Sequence, residues 1–329
     1  MADIYKRFAL EDIITRDLQI VSSPVWSGNV NPLTTFYTSS NTSSHEYYVP
    51  VYDKNPSTDD SAAVQFAVAY GNVYGSGSLG DTTVVDSTSN TPSKAVYSQF
   101  KNTLLPPTDN AFTINGQTAD SCYFITLNRA RYKQKMDPGN WEIRFKNSST
   151  TRQYIDNSGA GVDPTINEAG RIFKIYSGSG GVTASNNSVG LFYADLGILV
   201  FTASNSATYL DGSVAAVVNT FTAAKNAQKL VAAITSSQYF AARTEEKITS
   251  NHYFVRVTNQ QFNFSNNPTF ITGSNGMFRW STMRRNPQVY ITTVGLYDDN
   301  NRLLAVAKLS RPLLKSFNRE ALIKVKIDY

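Results

Sequence analysis

Apolar and polar residues alternate in short stretches along most of the chain, and this period of two is typical of β-strands with one buried face. Residues that favour turns, chiefly Gly, Pro, Asn, Asp and Ser, separate these stretches. The strands that the pattern predicts cover residues 121–129, 141–146, 171–176, 196–202, 238–243, 250–258, 290–297, 302–309 and 321–327. The chain is therefore expected to be mainly β, a β-rich α+β protein with antiparallel sheets or a sandwich.

Two segments carry apolar residues at helical spacing instead. The shorter one covers residues 93–105, with Ser93 as the expected N-cap and two prolines directly after its end. The longer one lies near residues 213–234, where valines and isoleucine form one stripe and alanines fill the rest. We expect one short and one long helix among the strands.

The strands predicted at residues 290–297 and 302–309 flank the sequence Asp-Asp-Asn-Asn, which is a strong turn signal. The two strands and this turn predict a β-hairpin. Alternation along both strands should direct one set of apolar side chains inward and keep the hairpin rigid. The residues in that set are Val294, Leu296, Leu304 and Val306.

The predicted elements suggest three segments, with weak boundaries that also allow one interwoven unit. Residues 1–37 contain prolines and glycine that interrupt regular structure, and they are interpreted as an N-terminal arm. Residues 38–205 form a β-rich region with long polar loops at 71–93 and 177–190, and residues 206–329 combine the long helix with a C-terminal β region.

The composition supports packing through aromatic side chains. The chain has 19 Tyr and 18 Phe, and only 17% of its residues are charged. Cys122 is the single cysteine, so an intrachain disulfide is excluded, and its position in an apolar strand predicts a buried thiol. Charges among the first twelve residues do not fit a signal peptide, so synthesis in the cytoplasm is expected. No apolar run approaches the ~20 residues of a membrane span, so membrane insertion is not expected.

The positive charge is concentrated at the C-terminal end. Residues 279–329 contain 10 Lys and Arg against 4 Asp and Glu, a local charge of +6, whereas the whole chain carries +5. Such a field could attract an acidic protein, nucleic acid or another charged surface. The alternative is a solvated basic face that binds nothing.

The candidates for catalysis or cofactor binding have weak support. The glycine-rich sequence at residues 75–80 is followed by a polar stretch where a dinucleotide site needs a helix N-terminus, so a loop is the better interpretation. His45 and His252 are the only histidines and lack further ligands nearby in sequence. Cys122 and His252 could form a nucleophile and base, but a buried thiol is inert. The sequence predicts no catalytic residue, no cofactor and no metal.

Two features are candidates for an interface. In the run at residues 128–135 every second residue is basic, which in a strand would place four cations on one face. These cations are Arg129, Arg131, Lys133 and Lys135. This ridge is interpreted as a charged edge that discourages strand pairing or docks an acidic neighbour. Nucleic acid is a less favoured partner, because base-stacking aromatics are missing from that face.

The second feature lies towards the C-terminus. Phe262 and Phe264 stand among Asn and Gln residues, which fits either a core segment or an aromatic patch that faces a partner. Cations also surround the predicted hairpin and are candidates for docking onto an acidic neighbour. They include Arg284, Arg285, Arg311 and Lys315.

Four segments together resemble a known class of proteins. The segments are "ALEDII", "NRARYKQKMDPGNWEI", "NHYFVRVTNQQFNFSNNPTF" and "VYITTVGLYDDNNRLLAVAKLSRPLLKSFNREALIKVKIDY". The chain resembles virion structural proteins of large contractile-tailed bacteriophages of the T-even-like myovirus group, including cyanobacterial and rhizobial phages. The resemblance extends over nearly the whole chain and is greatest towards its C-terminal end. The hairpin also resembles a pattern found in baseplate-proximal and fibre-attachment proteins.

The resemblance implies a non-enzymatic structural subunit of the virion, in the tail or baseplate, made in the host cytoplasm. Its partners would be copies of itself and other virion proteins, with no small-molecule cofactor. A neck, head-surface or fibre-connector protein is the alternative within this class. A polysaccharide-binding module is the alternative from another class, and it would need aromatic residues grouped on one face. The three tryptophans, Trp26, Trp141 and Trp280, are far apart in sequence.

Overall fold

The structure of the protein is a computed structural model that describes residues 5–39, 47–75, 77, 92–203, 210–217, 223–265, 267–272 and 276–328. The side chains of residues 15–18 lie outside this description. The chain is mainly β, with 48% of residues in strands and 16% in helices. Large antiparallel sheets dominate, and one of them curls into a half barrel. The predicted fold class is confirmed.

The strands are numbered in chain order. They are β1 Ile13–Pro24, β2 Tyr37–Thr38, β3 Val49–Tyr52, β4 Val64–Asn72, β5 Phe112–Ile114, β6 Gln117–Ala119, β7 Ser121–Leu127, β8 Lys135–Met136, β9 Glu142–Asn147, β10 Thr150–Asp156, β11 Thr165–Asn167, β12 Gly170–Ser179, β13 Val182–Tyr193, β14 Ile198–Thr202, β15 Phe240–Ala241, β16 Arg243–Val257, β17 Ile271–Thr272, β18 Met277–Phe278, β19 Gln288–Tyr297, β20 Leu303–Ser316 and β21 Ala321–Asp328. Each of the nine predicted strands overlaps one of these.

The helices in the described part of the chain are α1 Ser93–Leu104, α2 Arg129–Tyr132, α3 Ala223–Ser237 and α4 Ser281–Arg285. The predicted short helix is confirmed as α1, but its N-cap is Pro92 and Ser93 is its first helical residue.

The long helix lies further along the chain than predicted. Residues 213–217 are not helical, residues 218–222 are outside the described ranges, and α3 ends at Ser237. Ser213 gives the reason, because its hydroxyl donates to the carbonyl oxygen of Leu210 at 2.6 Å and lies 3.0 Å from the Tyr154 hydroxyl. These bonds fix a turn at the position where the helix was expected to begin.

The prediction of a polar loop at residues 177–190 is also wrong. Most of this stretch belongs to β12 and β13, which form a hairpin that turns at Gly180 and Gly181. Both glycines have a positive φ, 59° and 79°, which the tight turn requires. The strands were missed because their outer ends are polar and lack apolar alternation. The other predicted loop, residues 71–93, lies mostly outside the described residues.

The largest sheet has eleven strands, in the order β15-β9-β10-β12-β13-β14-β7-β4-β3-β2, and β11 pairs with β12. β7 lies near its middle, between β4 and β14, and is buried on both faces. That position explains why β7 has an almost continuous apolar sequence with aromatic and β-branched residues. Helices α1 and α3 pack against this sheet, with α1 on β4 and α3 on β4 and β9.

The chain divides into two compact units, which differ from the three predicted segments. The larger unit is Ile20–Glu246, and the smaller unit combines Met1–Gln19 with Lys247–Tyr329. Residues 1–37, which the sequence suggested as one N-terminal arm, are divided between these units. Within the larger unit, Val25 and Trp26 are core residues that are each 2% exposed. Residues 13–24 form strand β1, which pairs with β16.

The smaller unit has a core of its own. β16 and β21 pair in antiparallel register from Ser250 and Asp328 to Val257 and Ala321. β19 and β20 form a separate two-stranded hairpin. Leu296, Ile323 and Val325 are buried at the centre of an apolar cluster to which both pairs of strands contribute. The predicted hairpin is therefore present, and its inner face packs inside this unit.

Candidate docking surface

The hairpin of β19 and β20 has one buried face and one exposed face. Val294 and Leu296 contact the apolar cluster of the smaller unit, as predicted, and they pair with Ala307 and Ala305. The prediction was wrong for the opposite strand, because alanines of β20 fill the inner positions. Leu304 and Val306 are 69% and 59% exposed. The hairpin therefore presents large apolar side chains to solvent.

Gly295 shapes the exposed face. A Cβ atom at this position would lie 2.9 Å from the Tyr297 ring and 3.3 Å from Leu303 Cδ1, so both side chains occupy the space above the glycine. Tyr297 also contacts Tyr5, with ring centroids 5.1 Å apart in an edge arrangement. We call Tyr5, Tyr297, Leu303, Leu304 and Val306 the hairpin patch; each of these side chains is exposed.

The turn of the hairpin is fixed by Asp298. Its carboxylate accepts hydrogen bonds from the backbone N–H groups of Arg302 at 2.7 Å and Asn300 at 3.0 Å, and from Arg302 Nε at 2.8 Å. These bonds, led by that from the Arg302 backbone, lower the pKa of Asp298 below its ordinary value. Asn301 has a positive φ of 61°, which asparagine tolerates. The turn residues predicted from the sequence thus hold the end of the patch.

Unpaired cations lie in the same unit as the patch. From the sequence, the smaller unit contains 15 Lys and Arg against 8 Asp and Glu, a charge of +7, and the larger unit contains 15 against 17, a charge of −2. Several exposed cations of the smaller unit have no carboxylate partner among the described residues. They include Arg284, Arg285, Lys308 and Arg311. Such a surface is complementary to an acidic partner.

Lys315 does not belong to this surface, although the sequence suggested it as an interface residue. Its side chain is fully buried, and its ammonium donates to Asn263 Oδ1 at 2.8 Å and to the carbonyl oxygens of Asn259 and Ser316, both at 3.0 Å. Burial lowers the pKa of Lys315. The lysine therefore fastens the loop at residues 259–263 to the end of β20.

The aromatic candidates, Phe262 and Phe264, lie in and beyond this loop. Phe264 is 45% exposed and makes edge contacts with Phe270 and Phe278, with centroids 5.9 and 6.3 Å apart. Phe262 has a positive φ of 51° and is partly exposed. Phe264 therefore packs against aromatic neighbours on one side and faces solvent on the other.

The basic ridge at residues 128–135 is not one strand, because Arg129–Tyr132 form helix α2 and only Lys135 lies in a strand, β8. Asn128 accepts a hydrogen bond from the Ala130 backbone at 3.1 Å and caps helix α2, and Lys133 ends that helix with a positive φ of 55°. The four cations therefore do not line one strand face. Lys133 pairs with Glu246 at 2.6 Å, and Lys135 pairs with Glu245 at 3.2 Å.

Arg129 and Arg131, the two arginines of the run at residues 128–135, have different surroundings. Arg129 stacks against Tyr132, with Cζ 5.2 Å from the ring centroid. Arg131 is partly buried, and no carboxylate in the described part of the chain pairs with it. This difference was invisible in the sequence, where all four cations have the same spacing.

The candidates for chemistry lie apart from the hairpin patch. Cys122 is fully buried in the larger unit, and burial raises the pKa of its thiol. His252 is largely buried in β16 of the smaller unit, and His45 lies outside the described residues. Within the described ranges, no group of three or more metal-ligating side chains is present. No described helix is long and apolar enough to cross a membrane.

The hairpin patch contains residues that were not selected from the sequence, chiefly Tyr5, Tyr297 and Leu303. Gly295 was the available signal, because a glycine within a strand often marks a place where other groups approach the backbone closely. No family model, no curated protein and no solved structure matches the chain.

Proposed function

We propose that this protein is a non-enzymatic structural subunit of a contractile-tailed bacteriophage virion, in the tail or baseplate. The observation that carries the proposal is the hairpin patch, where exposed apolar side chains lie on a rigid hairpin. The same unit has a charge of +7 and carries exposed cations that no carboxylate in the described part of the chain pairs with. The resemblance of the sequence to virion proteins of such phages supports the class of particle.

The geometry suits a subunit that is held by its neighbours. Tyr297, Leu303 and Val306 supply the apolar centre that a stable protein interface needs. Exposed arginines can orient an acidic partner and increase the association rate. The inner face of the hairpin packs on its own core, so the patch is presented by a fixed scaffold.

The exposure of the three tryptophans bears on the polysaccharide-binding alternative. Trp26 and Trp141 are each 2% exposed, whereas Trp280 is 59% exposed. An aromatic platform for sugars would therefore have to use Trp280 with tyrosines or phenylalanines. Assembly remains the function that the hairpin patch favours.

The proposal is tested by locating the protein in particles. Virions of the phage that encodes the chain should contain it as a stoichiometric component, measured by quantitative mass spectrometry after density-gradient purification. Cryo-EM of the same particles should place it in the tail or baseplate. A particle preparation that infects normally but lacks the protein would refute the structural role. Density in the neck, head surface or a fibre connector would support the alternative position.

A further inference from the structure

One edge of strand β20 is free to pair with a further strand. Among the described residues, β19 and β20 form a sheet of two strands only. Beyond its pairing with β19, the backbone of residues 303–308 makes no hydrogen bond to another described residue. Some N–H and C=O groups of an edge strand point away from its neighbour, and they can pair with an added strand. We call residues 303–308 the open edge.

The open edge lacks most of the features that prevent strand pairing. Natural proteins protect such edges with charged residues, prolines, bulges or very short strands. Residues 303–307 read Leu-Leu-Ala-Val-Ala, without a charge or a proline. Leu304 and Val306 are 69% and 59% exposed, so the surface beside the open edge is apolar. Contiguous exposed apolar surface of this kind marks an interaction site.

The hairpin itself limits the length of the open edge. The turn that Asp298 holds closes one end. At the other end, Lys308 and Leu313 pair with residues of β19 that are only two positions apart, so the four residues between them bulge out of the pairing. The last of the four is Pro312, which has no backbone N–H to donate. An added strand can therefore pair with residues 303–308 and no further.

Charge selects the chemistry of the added strand. Lys308 ends the open edge and Arg311 lies in the bulge after it; both are exposed, and no carboxylate in the described part of the chain pairs with either. Opposite charges on neighbouring strands attract. The best partner strand therefore has apolar side chains beside Leu304 and Val306 and a carboxylate beside Lys308. A second copy is a poorer partner, because the whole chain carries +5.

From these observations we infer that the open edge of β20 binds an extended acidic segment of a different virion protein by strand addition. Backbone hydrogen bonds along residues 303–308 hold the segment, and Leu304 and Val306 supply apolar contacts. Lys308 fixes the register, because a slip by one residue would move the carboxylate to the other face. The inference rests on the proposed function and specifies how the hairpin patch is used.

The test compares the protein in purified virions with the free full chain by hydrogen–deuterium exchange at single-residue resolution. Those amides of residues 303–308 that point away from β19 should exchange at least about tenfold more slowly in the particle, because the added strand accepts their hydrogen bonds. Nuclease treatment of the opened particles should leave this protection unchanged.

Cross-linking identifies the partner in the same particles. A carbodiimide joins an ammonium to a carboxylate that touches it, so it should link Lys308 to an Asp or Glu residue of another virion protein, which sequencing of the linked peptide names. Lys308→Arg keeps the charge but does not react in this way. The link should therefore disappear in this variant while incorporation into particles stays normal.

Two valine variants complete the design. Val306→Glu places a carboxylate where the acidic segment should lie and should lower incorporation at least about tenfold. Val182→Glu is the matched control, because Val182 is 72% exposed on strand β13 of the larger unit, and its incorporation should stay normal. The thermal midpoint of each free variant reports whether it folds. If Val306→Glu lowers that midpoint, exchange and cross-linking of the unaltered chain decide.

The outcomes separate the inference from the proposed function. If particles contain the protein but residues 303–308 exchange as in the free chain, the inference is wrong and the proposed function stands. The same holds for a link from Lys308 to another copy, for protection that nuclease removes, and for equal losses in folded valine variants. If particles lack the protein, the proposed function is refuted and the inference fails with it.

Discussion

At the scale of single residues, Lys315 shows how a charged side chain can be structural. Its ammonium is fully buried but meets three oxygen acceptors, which offset much of the cost of removing it from water. Lys308, on the same strand, is exposed and has no such partners within the described ranges. Two lysines that look alike in the sequence therefore have different roles.

We expect Lys315→Met to lower the free energy of unfolding by about 1–3 kcal/mol, because methionine keeps the volume but donates no hydrogen bond, which leaves the buried Asn263 Oδ1 without a donor among the described residues. Chemical denaturation of the full chain measures this. Lys308→Met is the control and should change stability by less than about 0.5 kcal/mol. Equal effects of the two substitutions would mean that the buried hydrogen bonds contribute nothing measurable.

Asp298 gives a prediction about pH. Its carboxyl should titrate below the ordinary aspartate value of ~3.9, because the charged form accepts hydrogen bonds in the turn. A lowered pKa in the folded state means that the carboxylate stabilises the turn above pH ~4 and loses this effect as the pH falls through the folded-state pKa. Carboxyl ¹³C NMR measures the midpoint.

The variant Arg302→Gln separates the contributions to that midpoint. It removes the Nε–H bond at 2.8 Å but keeps the backbone N–H bond at 2.7 Å, which is the main cause of the shift. The pKa of Asp298 should therefore rise only part of the way towards its ordinary value. A midpoint at the ordinary value in the unaltered chain would show that the turn is not held by this carboxylate.

At the scale of elements, the sequence predicted strands well wherever one side chain in two is buried by a neighbouring strand. The sequence predicted a strand at β20, but it predicted the wrong residues on the inner face of that strand. Ala305 and Ala307 fill the inner face, and the larger Leu304 and Val306 are exposed. Hydrophobicity alone cannot reveal this arrangement, since the small residues are needed for close packing against the core.

The errors around α2 and α3 have local causes. Asn128 caps a short helix where alternating charges suggested a strand, and Ser213 forms a turn where apolar spacing suggested a helix. In both places a polar side chain bonds to nearby backbone groups and overrides the periodicity of the surrounding residues. The ion-pair partners of Lys133 and Lys135 are distant from them in sequence. The periodicity of one sequence carries no information about such contacts.

The position of β1 changes what a truncation should do. Deleting residues 1–20 removes most of β1 and the ion pair between Asp12 and Arg256 at 2.7 Å. We expect the midpoint of thermal unfolding to fall by at least about 5 °C, and the chain to self-associate through the exposed edge of β16. Leu10→Ser is the control, because Leu10 is 93% exposed. A truncated chain that stays monomeric with an unchanged midpoint would support the interpretation of this segment as an arm.

At the scale of the whole molecule, the two units have opposite formal charges, +7 and −2. The charge excess near the C-terminus was visible in the sequence, because counting residues requires no structure. The hairpin patch was not, since it depends on Gly295 leaving room for Tyr297 and Leu303 and on Tyr5 approaching from the N-terminal end. In two copies of the chain, the smaller units would repel each other because each carries a charge of +7. The hairpin patches of two copies are therefore poorly suited to face one another.

This charge distribution leads to a prediction for assembly. Reversing Arg284 and Arg285 to Glu should leave folding intact, because both side chains are exposed and have no ion-pair partner in the described part of the chain. Incorporation into particles should fall, because an acidic neighbour would then meet negative charge. Particle composition by mass spectrometry and the thermal midpoint of the free protein are measured side by side.

The matched control reverses Lys94 and Lys146, two exposed cations of the larger unit, and produces the same change of net charge. Only the Arg284 and Arg285 variant should lose incorporation if the position of the charge matters. The difference should shrink as salt rises in an in vitro assembly assay, since the screening length falls from ~10 Å at 0.1 M to ~3 Å at 1 M. Equal losses in both variants would attribute the effect to net charge, and a lower midpoint for the Arg284 and Arg285 variant would make these arginines structural. A loss that is confined to that variant and relieved by salt would locate the acidic neighbour beside helix α4.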